Sequence, residues 1–459
     1  MDEGGPRAIP AGLSRLMSYV TAAGLGPTLV RSVAGSGAVR IAAMVASFAV
    51  GVLLARLLGV EGYGHYGVAV AVVTIAGIPS QFGLPILVTR EVAAAEAKHD
   101  YGKLFGVLRW ADKACIGIAA VVSLGVLVAG AVVYAAGHRA LGGALLLGAP
   151  AIPLTALGKI RGGALMGLHH VARGQVPDGI VRPVVLSLLL LGFYLLRASL
   201  GAPVAMALNS AAALAMLLVS EVWLRNRLPV RSAPDRVMTG RQWLRSSLPM
   251  GLMEGMRTLQ TELCFVIVGM LVSAVVVGLL RIASVSAMTA AAPATIVSLA
   301  AMPVMARLHA QGDRVRLQKT VSALAQAQFA GVLVLSLPLL VFPGPLLSLA
   351  FGSSFAAAAD ALRLLAIGQI ASAAFGPNLW LLNMTHHEQR VTRALGIALA
   401  LTIVLLAPLV LRWGAAGAAS ALVAGMLCWN LITWRDAQKL LGIDTSIAHW
   451  PWKREGAGP

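Results

Sequence analysis

The chain contains twelve long apolar runs separated by short polar segments. A helix needs about 20 residues to cross the roughly 30 Å hydrocarbon layer of a membrane, and the runs are about that long. They predict an all-α polytopic membrane protein with about 12 transmembrane helices and no large soluble domain. The predicted spans are 33–55, 64–87, 114–136, 141–160, 183–200, 202–222, 248–270, 276–304, 321–342, 357–381, 394–411 and 415–434.

The composition excludes other classes of protein. With 58% hydrophobic and 12% charged residues, the chain is too apolar to be a soluble globular or a disordered protein. Its net charge of +18 would suggest nucleic acid in a soluble protein, but here the basic residues lie between the apolar runs. We therefore expect no nucleic-acid partner.

Lysine and arginine are distributed unevenly between the two sides that the spans define. With the N-terminus placed inside, 28 of the 36 basic residues lie in inside segments, four in outside loops and four within spans. Such a bias is characteristic of cytoplasmic loops. The sequence therefore predicts a multi-pass membrane protein with the N- and C-termini in the cytoplasm.

The two halves of the chain resemble each other at a nearly constant offset. Gly64 opens the second span as Gly278 opens the eighth, 214 residues later, and a His-His pair at 169–170 recurs at 386–387. Such an offset predicts a parallel repeat of six plus six spans around a central cavity, which is a transporter architecture. The predicted units are an N-terminal segment 1–32, a lobe 33–222, a basic linker 223–247, a lobe 248–435 and a tail 436–459.

The first outside loop carries a glycine-rich motif. Residues 53–66, LLARLLGVEGYGHY, resemble the signature of bacterial polysaccharide flippases of the O-antigen type. These belong to the multidrug/oligosaccharidyl-lipid/polysaccharide exporter (MOP) superfamily. Further segments are similar to that family: QFGLP at 81–85, TREVA at 89–93, VGLLRIA at 277–283 and FGSSF at 351–355, although the family more often has an acidic residue at the place of Gln81. The resemblance implies two six-helix lobes related by a pseudo-two-fold axis, as in multidrug (MATE-like) transporters.

Charged and polar side chains within spans are candidates for a transport pathway, because burying them in the membrane is costly. Guanidinium groups bind the oxygens of a pyrophosphate through their fork of donors. The candidate substrate-cavity residues are Arg40, Arg257, Arg281, Arg363, Asn209 and Asn378, with Gln260 and Gln369 as further uncharged candidates. Glu254 and Glu262 are candidates for binding a proton or sodium ion that couples transport.

The same residues allow a structural interpretation. Glu254 and Arg257, like Asp360 and Arg363, are three residues apart on a helix and so could neutralise each other. Arg281 could simply lie at the outer interface of the membrane. The sequence alone leaves these alternatives open.

The resemblance implies a flippase of the bacterial inner (plasma) membrane that moves an undecaprenyl-pyrophosphate-linked oligosaccharide repeat unit for lipopolysaccharide or exopolysaccharide biosynthesis by alternating access. The alternative is a cation-coupled multidrug or small-molecule antiporter of the same superfamily, which would favour acidic and aromatic cavity residues. A membrane enzyme would need a large outside loop with catalytic groups, which the predicted topology lacks. A membrane scaffold without transport function is disfavoured by the repeat of the two halves. We expect no catalytic residue, metal site or cofactor other than a coupling ion. The expected partners are the lipid-linked substrate, membrane lipids, and a polymerase and other polysaccharide-assembly proteins.

Overall fold

The computed structural model describes residues 27–196, 200–228 and 240–448, and it contains only helices and their connections over these ranges. The helices up to Arg225 are α1 Pro27–Ala76, α2 Ile78–Gln81, α3 Leu84–Ala97, α4 Tyr101–Ala135, α5 Arg139–Gly148, α6 Ala151–Gly167, α7 Val171–Val176, a π-helical turn Pro177–Val181, α8 Arg182–Leu195 and α9 Ala202–Arg225. We call this part the N-terminal lobe.

The helices from Gly240 onward form what we call the C-terminal lobe. They are α10 Gly240–Leu271, α11 Ala274–Ala290, α12 Ala292–Ala310, α13 Arg314–Val341, α14 Pro343–Phe351, a 3-10 helix Ser353–Ala358, α15 Ala359–Ala374, α16 Asn378–Met384 and α17 Glu388–Leu441.

The two longest helices are hairpins. In α1 the backbone leaves the helical region at Gly59 (φ 66°), and in α17 at Gly414 (φ 55°), a conformation that glycine adopts without strain. A Cβ on Gly51 would lie 4.0 Å from the hydroxyl of Tyr63, whereas the rise of a straight helix would separate the two residues by about 18 Å. A Cβ on Gly417 would likewise overlap the carbonyl oxygen of Leu409. Each helix therefore crosses the membrane twice.

These reversals account for the number of spans. Among the described residues, eight helices are long and apolar enough to cross a membrane, or nine if the bent pair α11–α12 is one span. Two of them are the hairpins, and the 32-residue α10, which is not among the eight, is long enough for a further crossing. The prediction of about twelve transmembrane helices is confirmed. The exact unit boundaries stay a prediction, and residues 1–26, 197–199, 229–239 and 449–459 of those units lie outside the described part.

The apolar core is shared between the lobes at one end of the molecule and divided at the other. Near the hairpin turns, one cluster of buried residues joins Leu54 and Tyr63 of the N-terminal lobe to Leu280, Phe355 and Leu406 of the C-terminal lobe. We call this end the Gly59 end. At the opposite end there are two clusters: one joins N-terminal residues within 84–224 to Trp243 of α10, and the other lies within 301–443. The lobes are thus joined most extensively at the Gly59 end.

Candidate substrate cavity

A cavity of about 280 Å³ lies inside the C-terminal lobe. All six spans of the lobe contribute to its wall, which carries five side-chain amides, three hydroxyls and two indoles. Among the described residues that line it, Arg257 is the only charged one. The polar and aromatic lining residues are Arg257, Gln260, Thr295, Ser298, Gln328, Gln369, Ser372, Asn378, Trp380, Trp429 and Asn430.

Part of this wall is held rigid by its own hydrogen bonds. Asn378, at the start of α16, donates from Nδ2 to the carbonyl oxygen and to Oδ1 of Asn430 at 3.1 and 3.3 Å. Asn430 donates in turn to Ser372 Oγ at 2.8 Å. Elsewhere in the wall, Gln328 Nε2 of α13 donates to Ser298 Oγ of α12 at 2.6 Å. Buried amides paired in this way cost little and fix the shape of the cavity.

Arg257 lies in the wall of the cavity, on a helix whose opposite face contacts the N-terminal lobe. That contact is made at Gly255, which points about 160° away from Arg257 around α10 and whose Cβ would lie 3.1 Å from Ile78. The guanidinium of Arg257 is 3.7 Å from the carboxylate of Glu254, and the two side chains are 58% and 54% exposed. An ion pair this exposed contributes about 1 kcal/mol at most, so the guanidinium remains available to a ligand.

Arg40 lies on the face of α1 that meets the opposite lobe. It is eleven residues, or three helical turns, before Gly51, whose Cβ would lie 3.6 Å from Val285 of α11. The rise of the helix places Arg40 about 16 Å further from the Gly59 end on the same face. Its side chain is exposed and makes no ion pair or hydrogen bond with the described residues.

Arg281 and Glu262 lie in the seam between the lobes near the Gly59 end. Arg281 Nη1 is 3.4 Å from Glu262 Oε2, and the side chains are only 15% and 18% exposed. The same Nη1 donates to the carbonyl oxygen of Gly67 in the N-terminal lobe at 3.1 Å, and the guanidinium stacks over the ring of Phe265 at 4.8 Å. Neither side chain lines the cavity, and their predicted roles in substrate and ion binding stay predictions.

The other predicted site residues lie elsewhere. Asn209 is buried in the N-terminal lobe and accepts a hydrogen bond of 3.3 Å from Arg182. Arg363 pairs with Asp360 at 2.9 Å on an exposed surface, as the structural interpretation of the sequence anticipates. Of the predicted polar positions, the structure brings Arg257, Gln260, Gln369 and Asn378 together around one cavity.

With this geometry in place, comparison with known proteins identifies the family. The family model of the polysaccharide biosynthesis protein matches residues 29–309, more than half of the chain. The chain belongs to the polysaccharide biosynthesis protein family. A search of curated proteins found no match.

Solved structures show that this polysaccharide biosynthesis protein has the fold of the MOP superfamily. An inward-facing multidrug resistance MATE family transporter matches with a TM-score of 0.72 and 13% identity, over 88% of this chain and 98% of that chain. The lipid II flippase MurJ in an inward closed conformation matches with a TM-score of 0.63 and 14% identity, over 88% and 86%. A MOP superfamily transporter from Pyrococcus furiosus, described as having a binding pocket of reverse polarity, matches with a TM-score of 0.61 and 12% identity, over 89% and 95%.

The N-terminal lobe of this polysaccharide biosynthesis protein contains an ion network that sequence reasoning missed. Arg161 binds both oxygens of Asp112 at 2.6 and 3.0 Å and Glu221 at 2.5 Å, and Arg225 also binds Glu221 at 2.5 Å. These residues lie near the ends of their spans, so the sequence associates Arg161 with topology. The acidic partners on neighbouring spans were the available signal, but their contact depends on how the spans pack.

The cavity also contains residues that the sequence analysis did not single out. Gln328 and Asn430 are amides within apolar runs, and Trp380 and Trp429 are indoles close to polar residues. Each is a polar or amphipathic side chain within a predicted span, and that signal could have found them. What the sequence lacks is the rotation of each span, which decides whether such a side chain faces the cavity.

Proposed function

We propose that this protein flips an undecaprenyl-pyrophosphate-linked oligosaccharide repeat unit across the bacterial inner membrane for polysaccharide biosynthesis. Its family and its MOP-superfamily fold indicate a transporter rather than an enzyme. The observation that carries the proposal of this substrate is the positive charge on the inner surfaces of the molecule. Arg40 is exposed on the face of α1 that meets the opposite lobe, and Arg257 is exposed in the wall of the C-terminal cavity, whose described lining residues include no carboxylate.

This charge suits an anionic lipid headgroup. A guanidinium binds two oxygens of a phosphate at once, and the bond strengthens where water is scarce. Arg40 makes no ion pair with the described residues, and Arg257 has only the exposed Glu254 as a partner. The pyrophosphate would therefore bind between the lobes through these two arginines, while the prenyl chain stays in the lipid.

Alternating access follows from the unequal packing of the two ends. The lobes share one extensive apolar core at the Gly59 end, whereas the N-terminal cluster at the opposite end includes a single buried residue of the C-terminal lobe, Trp243, among the described residues. If the Gly59 end faces outward, as the distribution of basic residues predicts, this conformation is the one open to the cytoplasm. Transport would then require the shared core to separate so that the substrate leaves on the other side.

Glu254 is the residue that we propose for coupling to a proton. It pairs with Arg257 at 3.7 Å, so a pyrophosphate that binds Arg257 would leave Glu254 without its cation. The carboxylate would then be free to bind the coupling ion. Glu262 is the second candidate, and it would need the Arg281 pair to open first. A sodium ion bound by the same carboxylate is the alternative coupling ion.

The test uses a strain deleted for this gene and complemented with wild type, Arg40→Ala, Arg257→Ala or, as a control, Arg316→Ala. Arg316 is an exposed basic residue away from the cavity, with 79% of its side chain accessible. We expect lipid-linked oligosaccharide to accumulate on the inner leaflet in the deletion strain and in the first two variants, and wild type and Arg316→Ala to clear it. Unchanged glycolipid and surface polysaccharide together with reduced drug export would replace the proposal by the multidrug antiporter.

A further inference from the structure

The cavity of the C-terminal lobe has room for one small polar ring. Its volume of about 280 Å³ corresponds to about nine water molecules at ~30 Å³ each. That is enough for a single monosaccharide with a few waters, and far too little for an oligosaccharide. A ligand of this size would have to enter as one unit of a longer molecule whose remainder lies between the lobes.

Two amides in the wall are left over after the internal hydrogen bonds have formed. Gln260 and Gln369 line the cavity and make no hydrogen bond with the described residues, while Asn378 and Asn430 hold each other in place. A free side-chain amide offers two donors and an acceptor, which match the hydroxyl groups of a sugar because each hydroxyl both donates and accepts. The wall thus combines a fixed frame with unused hydrogen-bonding groups.

Two indoles complete the lining. Trp380 and Trp429 are half-buried, and both also pack against the apolar cluster at 301–443. An indole presents a flat apolar face together with one N–H donor, so it suits a ring that has C–H groups on its faces and hydroxyls at its edge. Packing against the cluster holds both rings in place without a ligand.

The lining disfavours other classes of ligand. A cationic drug or a metal ion would find no carboxylate among the described lining residues, and it would be repelled by Arg257. A purely apolar ligand would leave the unpaired amides of Gln260 and Gln369 desolvated, which is costly. An uncharged polyol satisfies the amides and the indoles, and Arg257 at the wall is placed for a phosphate attached to it.

We infer that this cavity binds an uncharged sugar ring of the lipid-linked oligosaccharide, with Gln260, Gln369, Trp380 and Trp429 as its contacts and Arg257 as the contact of the adjoining phosphate. The inference rests on the proposed function and adds to it a place for the sugar. It assigns recognition of the glycan to the C-terminal lobe.

The experiment measures binding to the full-length protein in nanodiscs by native mass spectrometry. The two probes are the lipid-linked oligosaccharide extracted from the deletion strain and undecaprenyl pyrophosphate, which has the same anionic group without sugar. The variants are Gln369→Leu, Arg257→Gln and a control, Gln326→Leu. Gln326 lies in the same lobe on α13 but does not line the cavity.

We expect wild type to bind the glycolipid about tenfold more tightly than undecaprenyl pyrophosphate. Gln369→Leu should reduce this preference about fivefold, the effect of one lost hydrogen bond, and leave the affinity for undecaprenyl pyrophosphate unchanged. Arg257→Gln should weaken both probes, and Gln326→Leu neither.

Two kinds of failure are distinguishable. Equal binding of the two probes by wild type, or an unchanged preference in Gln369→Leu, would overturn the sugar site and leave the flippase proposal intact. If no glycolipid accumulates in the deletion strain and undecaprenyl pyrophosphate does not bind, the proposed function itself fails, and the sugar site fails with it.

Discussion

Gly64 and Gly278 make the same contact from opposite lobes. A Cβ on Gly64 would overlap the carbonyl oxygen of Ala274, and a Cβ on Gly278 would overlap that of Val60. The two glycines are 214 residues apart, and so are Val60 and Ala274. The contact is therefore repeated by the pseudo-two-fold relation between the halves, and it allows two backbones to approach closely because neither glycine has a side chain.

We expect Gly64→Ala to push the lobes apart at the Gly59 end. The added methyl group meets backbone, which cannot move aside as a side chain can, and overpacking of this kind costs about 1–3 kcal/mol. Thermal unfolding of the purified protein should occur at a lower temperature, and glycolipid should accumulate in cells. Gly125→Ala is the control, because a Cβ there meets nothing within 4 Å. Equal unfolding temperatures for the two variants would contradict this account.

The ion pair between Arg281 and Glu262 provides a second prediction. Both side chains are largely buried, so Arg281→Gln or Glu262→Gln alone would leave an uncompensated charge and cost about 3–5 kcal/mol. The double variant should cost less than the sum of the single variants, because it removes both charges. Thermal unfolding of all four proteins measures this coupling. Additive effects would show that the pair contributes no interaction energy.

We expect Arg161→Lys to be destabilising, although the charge is kept. A lysine ammonium cannot bind both oxygens of Asp112 and also reach Glu221 as the guanidinium does, so at least one charged hydrogen bond worth about 1.5–3 kcal/mol is lost. Arg225→Lys is a matched control, because Arg225 binds the same Glu221 but is 67% exposed. The unfolding temperature should fall for the first variant and hardly change for the second. The reverse order would refute the buried network.

The pH dependence of stability tests the environment of Glu91, which lies outside the spans. Burial raises the pKa of Glu91, but hydrogen bonds from Lys103 and Arg90 outweigh this effect and hold the pKa below its ordinary value of 4.5. Since the folded pKa is the lower one, the carboxylate stabilises the fold above pH 4.5 and loses this contribution as the pH falls through the folded pKa.

Glu91→Gln should therefore lower the unfolding temperature at neutral pH. The difference from wild type should shrink in acid below pH 4.5, because protonated Glu91 is uncharged like the glutamine that replaces it. A difference that stays constant through the acidic range would show that the charge of Glu91 does not contribute.

Two arginines within spans show how far the sequence predicts the site. Arg257 and Arg281 have the same chemistry and both lie in apolar runs, so the sequence gives them the same candidate role. In the structure, Arg257 is 58% exposed beside a cavity, whereas Arg281 is 15% exposed in the seam between the lobes. The difference arises from Gly67 and Phe265, which reach Arg281 from other spans. No pattern around either arginine contains that information.

The sequence by itself determined the number of spans, the repeat of the two halves and the family motifs. These depend on local properties: an apolar run must be a helix in a membrane, because its backbone has no other hydrogen-bonding partner there. The tertiary structure decided which polar side chains meet. Gln260, Gln369, Asn378 and Asn430 surround one cavity because three spans turn those faces toward each other. Rotation about a helix axis leaves every local hydrogen bond unchanged, so only packing between spans could fix it.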